Sequence, residues 1–126
     1  MNKAKELAKT KRRLDKLWRE AVIKDYGGAC MICRSIDKGL NCHHVVTRRN
    51  QWGRWYIPNG VLLCPTHHKF SVTCSAHQAP PSIFLCIPIN IEDWFVLLDR
   101  QTNGRGPFVF EEAKIEAHLK GEAYGY

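Results

Sequence analysis

Asn59-Gly60-Val61-Leu62-Leu63-Cys64-Pro65-Thr66-His67-His68 is the stretch on which the fold turns. Val61 to Leu63 is a short apolar run, which suits a buried strand. Cys64 then stands as the cap of a helix whose first turn holds Pro65, a position where a backbone N–H has no partner to lose. A strand running directly into a helix puts Cys64 and His67 on one tight turn, and this spacing lets two side chains reach the same ion. A gap of thirty residues separates that pair from Cys30-Met31-Ile32-Cys33, which has the same spacing. Alone, Cys30-x-x-Cys33 suits a redox dithiol or two buried thiols equally well. With the second pair it predicts a tetrahedral structural zinc site of Cys30, Cys33, Cys64 and His67.

The intervening segment must hold structure of its own. Leu40-Asn41-Cys42-His43-His44-Val45-Val46 ends on β-branched residues and reads as a strand. Adjacent histidines on a strand face opposite ways, so one can bind a metal while the other turns toward a different reactant. Residues 47–60 are polar, aromatic and interrupted by glycine, and are expected as an irregular loop. Strand, loop, strand and helix give a ββα unit within a small α+β domain. Residues 2–24 lack Pro and Gly, and Leu7, Leu14, Leu17, Trp18, Ala21 and Val22 recur at helical spacing, which predicts an amphipathic helix stopped at Gly27-Gly28. Downstream, Asn90 caps an expected helix to about Asp99, and Glu111 to Lys120 reads as a last helix ended by Gly121. The expected organisation is a basic helical extension over 1–16, a ββα core with structural zinc over 17–78, and a helical C-terminal extension over 79–126.

Charge narrows the partner class. The 126 residues carry a net charge of +7, distributed as nine Lys/Arg against three acids in 1–24, six against two in 25–77, and four against seven in 78–126. A one-sided basic field suits a phosphate backbone, because each neutralised phosphate releases condensed counterions. The longest apolar run, Ile83 to Ile89, is seven residues and contains Pro88, too short to cross a bilayer. The charged start, Met-Asn-Lys-Ala-Lys-Glu-Leu, has no apolar stretch after it of the kind a secretory signal needs. The expectation is a soluble protein in a reducing, cytoplasmic compartment, where paired cysteines bind metal more often than they form disulfides.

Taken in order, Cys-x-x-Cys, His-His and Asn-Gly-Val-Leu-Leu-Cys-x-x-His-His resemble the HNH (ββα-metal) endonucleases of phages, mobile elements and restriction systems, in the branch with a structural zinc. The likeness runs over about residues 17–77 and includes Leu17-Trp18-Arg19-Glu20-Ala21-Val22, similar to the helix that precedes the first cysteine pair in that family. It implies that His43 ligates a catalytic divalent ion, Mg²⁺, Mn²⁺ or another, with His68 as a second ligand. It further implies that His44 is the general base and that Asn59 holds the loop aiming His44 or reaches the metal. The implied reaction is hydrolysis of DNA phosphodiester bonds. Two positions depart from the family pattern. His67 stands where a cysteine is usual, which leaves open which of His67 and His68 faces which metal. Val72 stands where several relatives have a further histidine, so His77 or water would complete the catalytic ligand set.

Arg48 and Arg49, with Arg12 and Arg13 on the first helix, are the expected DNA contacts, and Trp55 is expected in the core. Cys42, Cys74 and Cys86 fit neither site and read as small buried hydrophobes. The competing reading is a non-catalytic zinc module that binds nucleic acid by charge and shape, which has no need of His43, His44, Asn59 and His68 together. A thiol oxidoreductase would require a βαβ pattern around Cys30 and Cys33, and the sequence does not have it.

Overall fold

The computed structural model describes residues 2–36, 39–45, 51–70 and 108–123. Arg48, Arg49, Cys74, His77, Cys86 and the helix expected from Asn90 lie outside these residues. A helix α1 spans Lys3–Asp25, with the Asn2 side chain accepting from the Ala4 N–H as its cap. Strand β1 is Asn41–His44 and strand β2 is Gly60–Leu63. They pair antiparallel, with Cys42 opposite Leu62 and His44 opposite Gly60. A single helical turn of the wide π type, Thr66–Phe70, follows β2, and helix α2 spans Glu112–Leu119. No helix among the described residues is long and apolar enough to cross a membrane.

Two elements differ from the sequence expectation. The segment expected as an irregular loop contains two 3₁₀ turns, Gln51–Trp55 and Ile57–Asn59. Trp52, Trp55 and Tyr56 are buried there, so aromatic burial gives the polar segment a fixed path. Strand β1 ends at His44, before the β-branched pair expected to close it: the Val45 N–H still reaches the opposite Asn59 carbonyl at 2.9 Å, but the Asn59 N–H turns back to the Tyr56 carbonyl at 3.1 Å and does not return the bond. On α1, Leu14, Trp18 and Val22 are buried as the spacing predicts, whereas Leu7 stays 44% exposed. Helix α1 runs unbroken through residue 16, as the single helix expected over residues 2–24.

Side-chain alternation divides the small sheet between two cores. On one face Leu62 packs with Leu14, Trp18 and Val22 of α1, with Trp55, and with Ile115 and Leu119 of α2. On the other, Val61 and Leu63 pack with Cys30, Met31 and Cys64. Helix α2 is tied in by Arg13, which donates to Glu112 and Glu116 at 2.8 Å each. Buried His118 adds a second link: its Nε2 accepts from the Ile57 N–H at 3.0 Å and its Nδ1 donates to the Ala123 carbonyl at 3.2 Å.

Helix α1 packs closely on the sheet at Gly60. Its φ of −103° is open to any residue, so the need for glycine there is steric. A methyl group at this position would collide with Cγ2 of Val22 and stand 2.7 Å from Cζ2 of Trp18. Gly60→Ala is therefore expected to destabilise the fold by about 1–3 kcal/mol through overpacking. Urea unfolding followed by tryptophan fluorescence checks it; an unchanged midpoint would show that α1 sits farther from the sheet.

Candidate functional site

The four residues expected to bind zinc converge. One ligand atom from each of Cys30, Cys33, Cys64 and His67 lies within 4.8 Å of the others. Cys33 Sγ is 3.7 Å from Cys64 Sγ, far beyond a disulfide bond and close to the edge of a tetrahedron built on Zn–S bonds of about 2.3 Å. His67 presents Nδ1 to the group, 3.2 Å from Cys64 Sγ and 3.8 Å from Cys30 Sγ. Three soft thiols and an imidazole in this shape fit zinc.

Local backbone geometry explains how the first pair reaches the cluster. After Cys30 the chain folds back so that the Arg34 N–H donates to the Cys30 carbonyl at 2.8 Å and the Cys30 N–H to the Ser35 carbonyl at 2.9 Å. This tight return holds Arg34 at a left-handed φ of 63°. The Met31 N–H donates to the Leu62 carbonyl at 2.9 Å, fixing the turn to β2. Burial pushes the Cys30 thiol up, but the backbone N–H groups of Cys33, Cys64 and Ile32 outweigh it and bring the thiol below its ordinary value. Burial also pushes Cys64 up, and the neighbouring Cys33 and Cys30 sulfurs add to the rise. Cys42 stands apart: burial raises it to about 11, so it is a packed, unreactive thiol, as the sequence suggests.

The histidines next to this cluster take separate directions. Successive residues of a helical turn diverge by roughly a quarter turn. His67 accordingly joins the cysteines, while His68 meets His43 of β1 edge to face with ring centroids 5.4 Å apart. Sequence spacing leaves the division between His67 and His68 open, and this geometry provides it.

His44 occupies the opposite face of β1. Its ring lies flat on Trp18, with centroids 4.0 Å apart and planes 3° from parallel. Gly60, its cross-strand neighbour, leaves the space the indole needs. His44 Nε2 is 2.9 Å from the Arg54 carbonyl oxygen. A carbonyl only accepts, so Nε2 carries the hydrogen and, in the neutral ring, Nδ1 carries the lone pair. Asn59 is fully buried; its Nδ2 donates to the Gly53 carbonyl at 2.9 Å, and its backbone carbonyl accepts from Val45. It therefore ties the segment carrying Arg54 to the end of β1.

The expected DNA contacts separate as well. Arg12 is exposed, whereas Arg13 is bound to two carboxylates of α2, which raise its pKa and hold Glu116 below the usual carboxylate range. Arg13 thus links the two helices at the surface. Sequence reasoning missed Asp15, whose carboxylate accepts from Arg54 and from Trp55 Nε1; nothing in the sequence distinguishes it from any other acid on a charged helix.

Comparisons of the chain with family models, with curated proteins and with solved structures each return no match.

For the cysteine cluster the expected outcome is about one tightly held zinc per chain, with a strong chelator unfolding the protein. Cys33→Ala should lose the zinc and be recovered mostly insoluble, whereas Cys42→Ala should keep full zinc content by elemental analysis. A folded parent free of zinc would remove the assignment.

Proposed function

We propose that this chain is a metal-dependent endonuclease of the HNH, ββα-metal type that hydrolyses DNA phosphodiester bonds. The observation that carries the proposal is the separation of the paired histidines, with His43 beside His68 on one face of β1 and His44 held in a defined tautomer on the other. In this reading Cys30, Cys33, Cys64 and His67 hold a structural zinc. His43 and His68 ligate the catalytic ion, with His77 or water completing the set. Two imidazoles favour transition ions such as Mn²⁺ over Mg²⁺. When bound there, a divalent ion supplies positive charge to the phosphorane and to the departing 3′-oxygen.

The protein's own groups do the rest. Nδ1 of His44 takes a proton from the attacking water as its oxygen bonds to phosphorus. The bond from phosphorus to the 3′-oxygen breaks, and that oxygen gains a proton from solvent. Asn59 holds the loop that aims His44. A non-catalytic zinc module would retain the cysteine cluster and the charge but have no use for the ordered His44.

DNA contact in this reading comes from Arg48 and Arg49 and from one face of α1. Lys5, Lys9, Arg12, Lys16 and Arg19 are exposed and follow one another at alternating spacings of four and three residues, which places them in one stripe. Among the described residues none of the five has an ion-pair partner. Neighbouring like charges at these spacings cost a helix roughly 0.2–0.5 kcal/mol per pair, and a merely solubilising face would mix its signs. The stripe extends about 21 Å at 1.5 Å per residue, a length over which it can follow a phosphate backbone.

Incubation with supercoiled plasmid, with and without divalent ions, tests the reaction. His44→Ala should keep zinc, fold and DNA binding and lower cleavage by a factor on the order of 10² to 10⁴. Cleavage at the parental rate would make the binding module the better reading. For the stripe, neutralising Lys9, Arg12 and Lys16 together should flatten the dependence of log affinity on log salt by about 2.7 for duplex DNA, at about 0.9 per phosphate. Arg13→Gln should leave that slope unchanged.

A further inference from the structure

Asp15 lies on α1, one turn before Trp18, and its side chain is 18% exposed. Oδ1 accepts from Arg54 Nε at 2.9 Å and from Trp55 Nε1 at 2.9 Å, and Oδ2 accepts from Arg54 Nη2 at 2.8 Å. The Arg54 guanidinium also lies over the Trp55 ring, 4.8 Å from its centroid. One carboxylate thus fixes two consecutive side chains of the first 3₁₀ turn. A planar fork on a carboxylate is the most directional of the common ion pairs, and here it is largely removed from water.

The peptide fixed in this way is the one that holds His44. Arg54 contributes its carbonyl to His44 Nε2. On the preceding residue, the Gly53 carbonyl is held by Asn59 Nδ2. The Arg54 carbonyl is therefore clamped from both sides: by Asn59 through Gly53, and by Asp15 through the Arg54 and Trp55 side chains. The same helix supplies the plane against which the His44 ring lies, since Trp18 is itself anchored by donating Nε1 to the Tyr56 carbonyl at 3.0 Å. Helix α1 thus sets both the tilt of the imidazole and the position of its hydrogen-bond acceptor.

We infer that Asp15 is the positioning residue for His44, acting through the Arg54–Trp55 segment to keep Nε2 protonated toward the Arg54 carbonyl and Nδ1 presented as the acceptor. The catalytic consequence rests on the reading of His44 as general base; the positioning itself does not. Neither Asp15 nor the Arg54 side chain touches substrate in this scheme. An isosteric Asp15→Asn change removes the charge and one face of the fork while conserving volume, so its effect should travel through the loop rather than through a cavity.

The test uses the full-length, zinc-loaded protein and nitrogen-15 NMR of its histidine rings, with no DNA present. In the parent, His44 should show the Nε2–H tautomer with a slowly exchanging ring proton. Asp15→Asn should mix the tautomers and speed that exchange at least tenfold, and Arg54→Gln, which breaks the same link from the other end, should do the same. The double variant should be no worse than either single one, because both changes cut one link. Plasmid cleavage by the single variants should show kcat lowered tenfold or more with KM nearly unchanged. If either folded variant keeps the parental His44 tautomer and exchange rate, the inference is wrong. A parent that cleaves nothing in any divalent ion would refute the nuclease reading, while the NMR comparison would still decide whether Asp15 positions His44.

Discussion

Everything in this molecule depends on closing two turns distant in sequence over one small volume. Two strands of four residues make a sheet too small to stand alone. Among the described residues, one face has the helices α1 and α2 to cover it, and the other has Cys30, Met31, Val61, Leu63 and Cys64 with a few half-buried neighbours. The Cys30–Cys33 turn and the Cys64–His67 turn meet there with their ligand atoms within 4.8 Å. Burial, and after it the neighbouring Cys33 and Cys30 sulfurs, push the Cys64 thiol up there. A zinc held by these four ligands would tie the two turns together with bonds of its own.

From that closure the remaining geometry follows by short steps. Holding His67 in the cluster turns its neighbour His68 away, toward His43. The pleat then sends His44 to the opposite face, where α1 is already seated because Gly60 admits Trp18 and Val22 at van der Waals contact. The indole that packs on the glycine is also the plane on which the imidazole rests. Packing and site construction are here the same contact, so a core substitution at Gly60 would also disturb His44.

Helix α1 sorts its charges by direction. Arg13 and Lys11 meet neighbouring elements, Arg13 on the acids of α2 and Lys11 over the Phe110 ring at 5.4 Å. Asp15 faces Arg54. The stripe from Lys5 to Arg19 faces outward. A basic segment that looks uniform in composition therefore presents three distinct surfaces.

The sequence by itself determined the helical span of α1, both strands, the helical turn after Cys64 and the three cysteines of the metal-binding cluster, because each of these is encoded in local spacing. Periodicities of 3.6 and 2 and a two-residue ligand gap are properties of neighbours along the chain. It also set His43 and His44 on opposite faces, since alternation needs only a strand. Tertiary structure alone decided which histidine of the pair His67 and His68 joins the sulfurs, that Arg13 is bound to α2, that the segment before Asn59 winds into 3₁₀ turns, and that Asp15 stands behind His44. Asp15 and Arg54 are 39 residues apart, and Arg13 and Glu112 are 99 apart. No local pattern records a contact between such residues: it exists only once the chain has closed and brought the two side chains together, the Asp15–Arg54 pair largely out of water and the Arg13–Glu112 pair still at the surface.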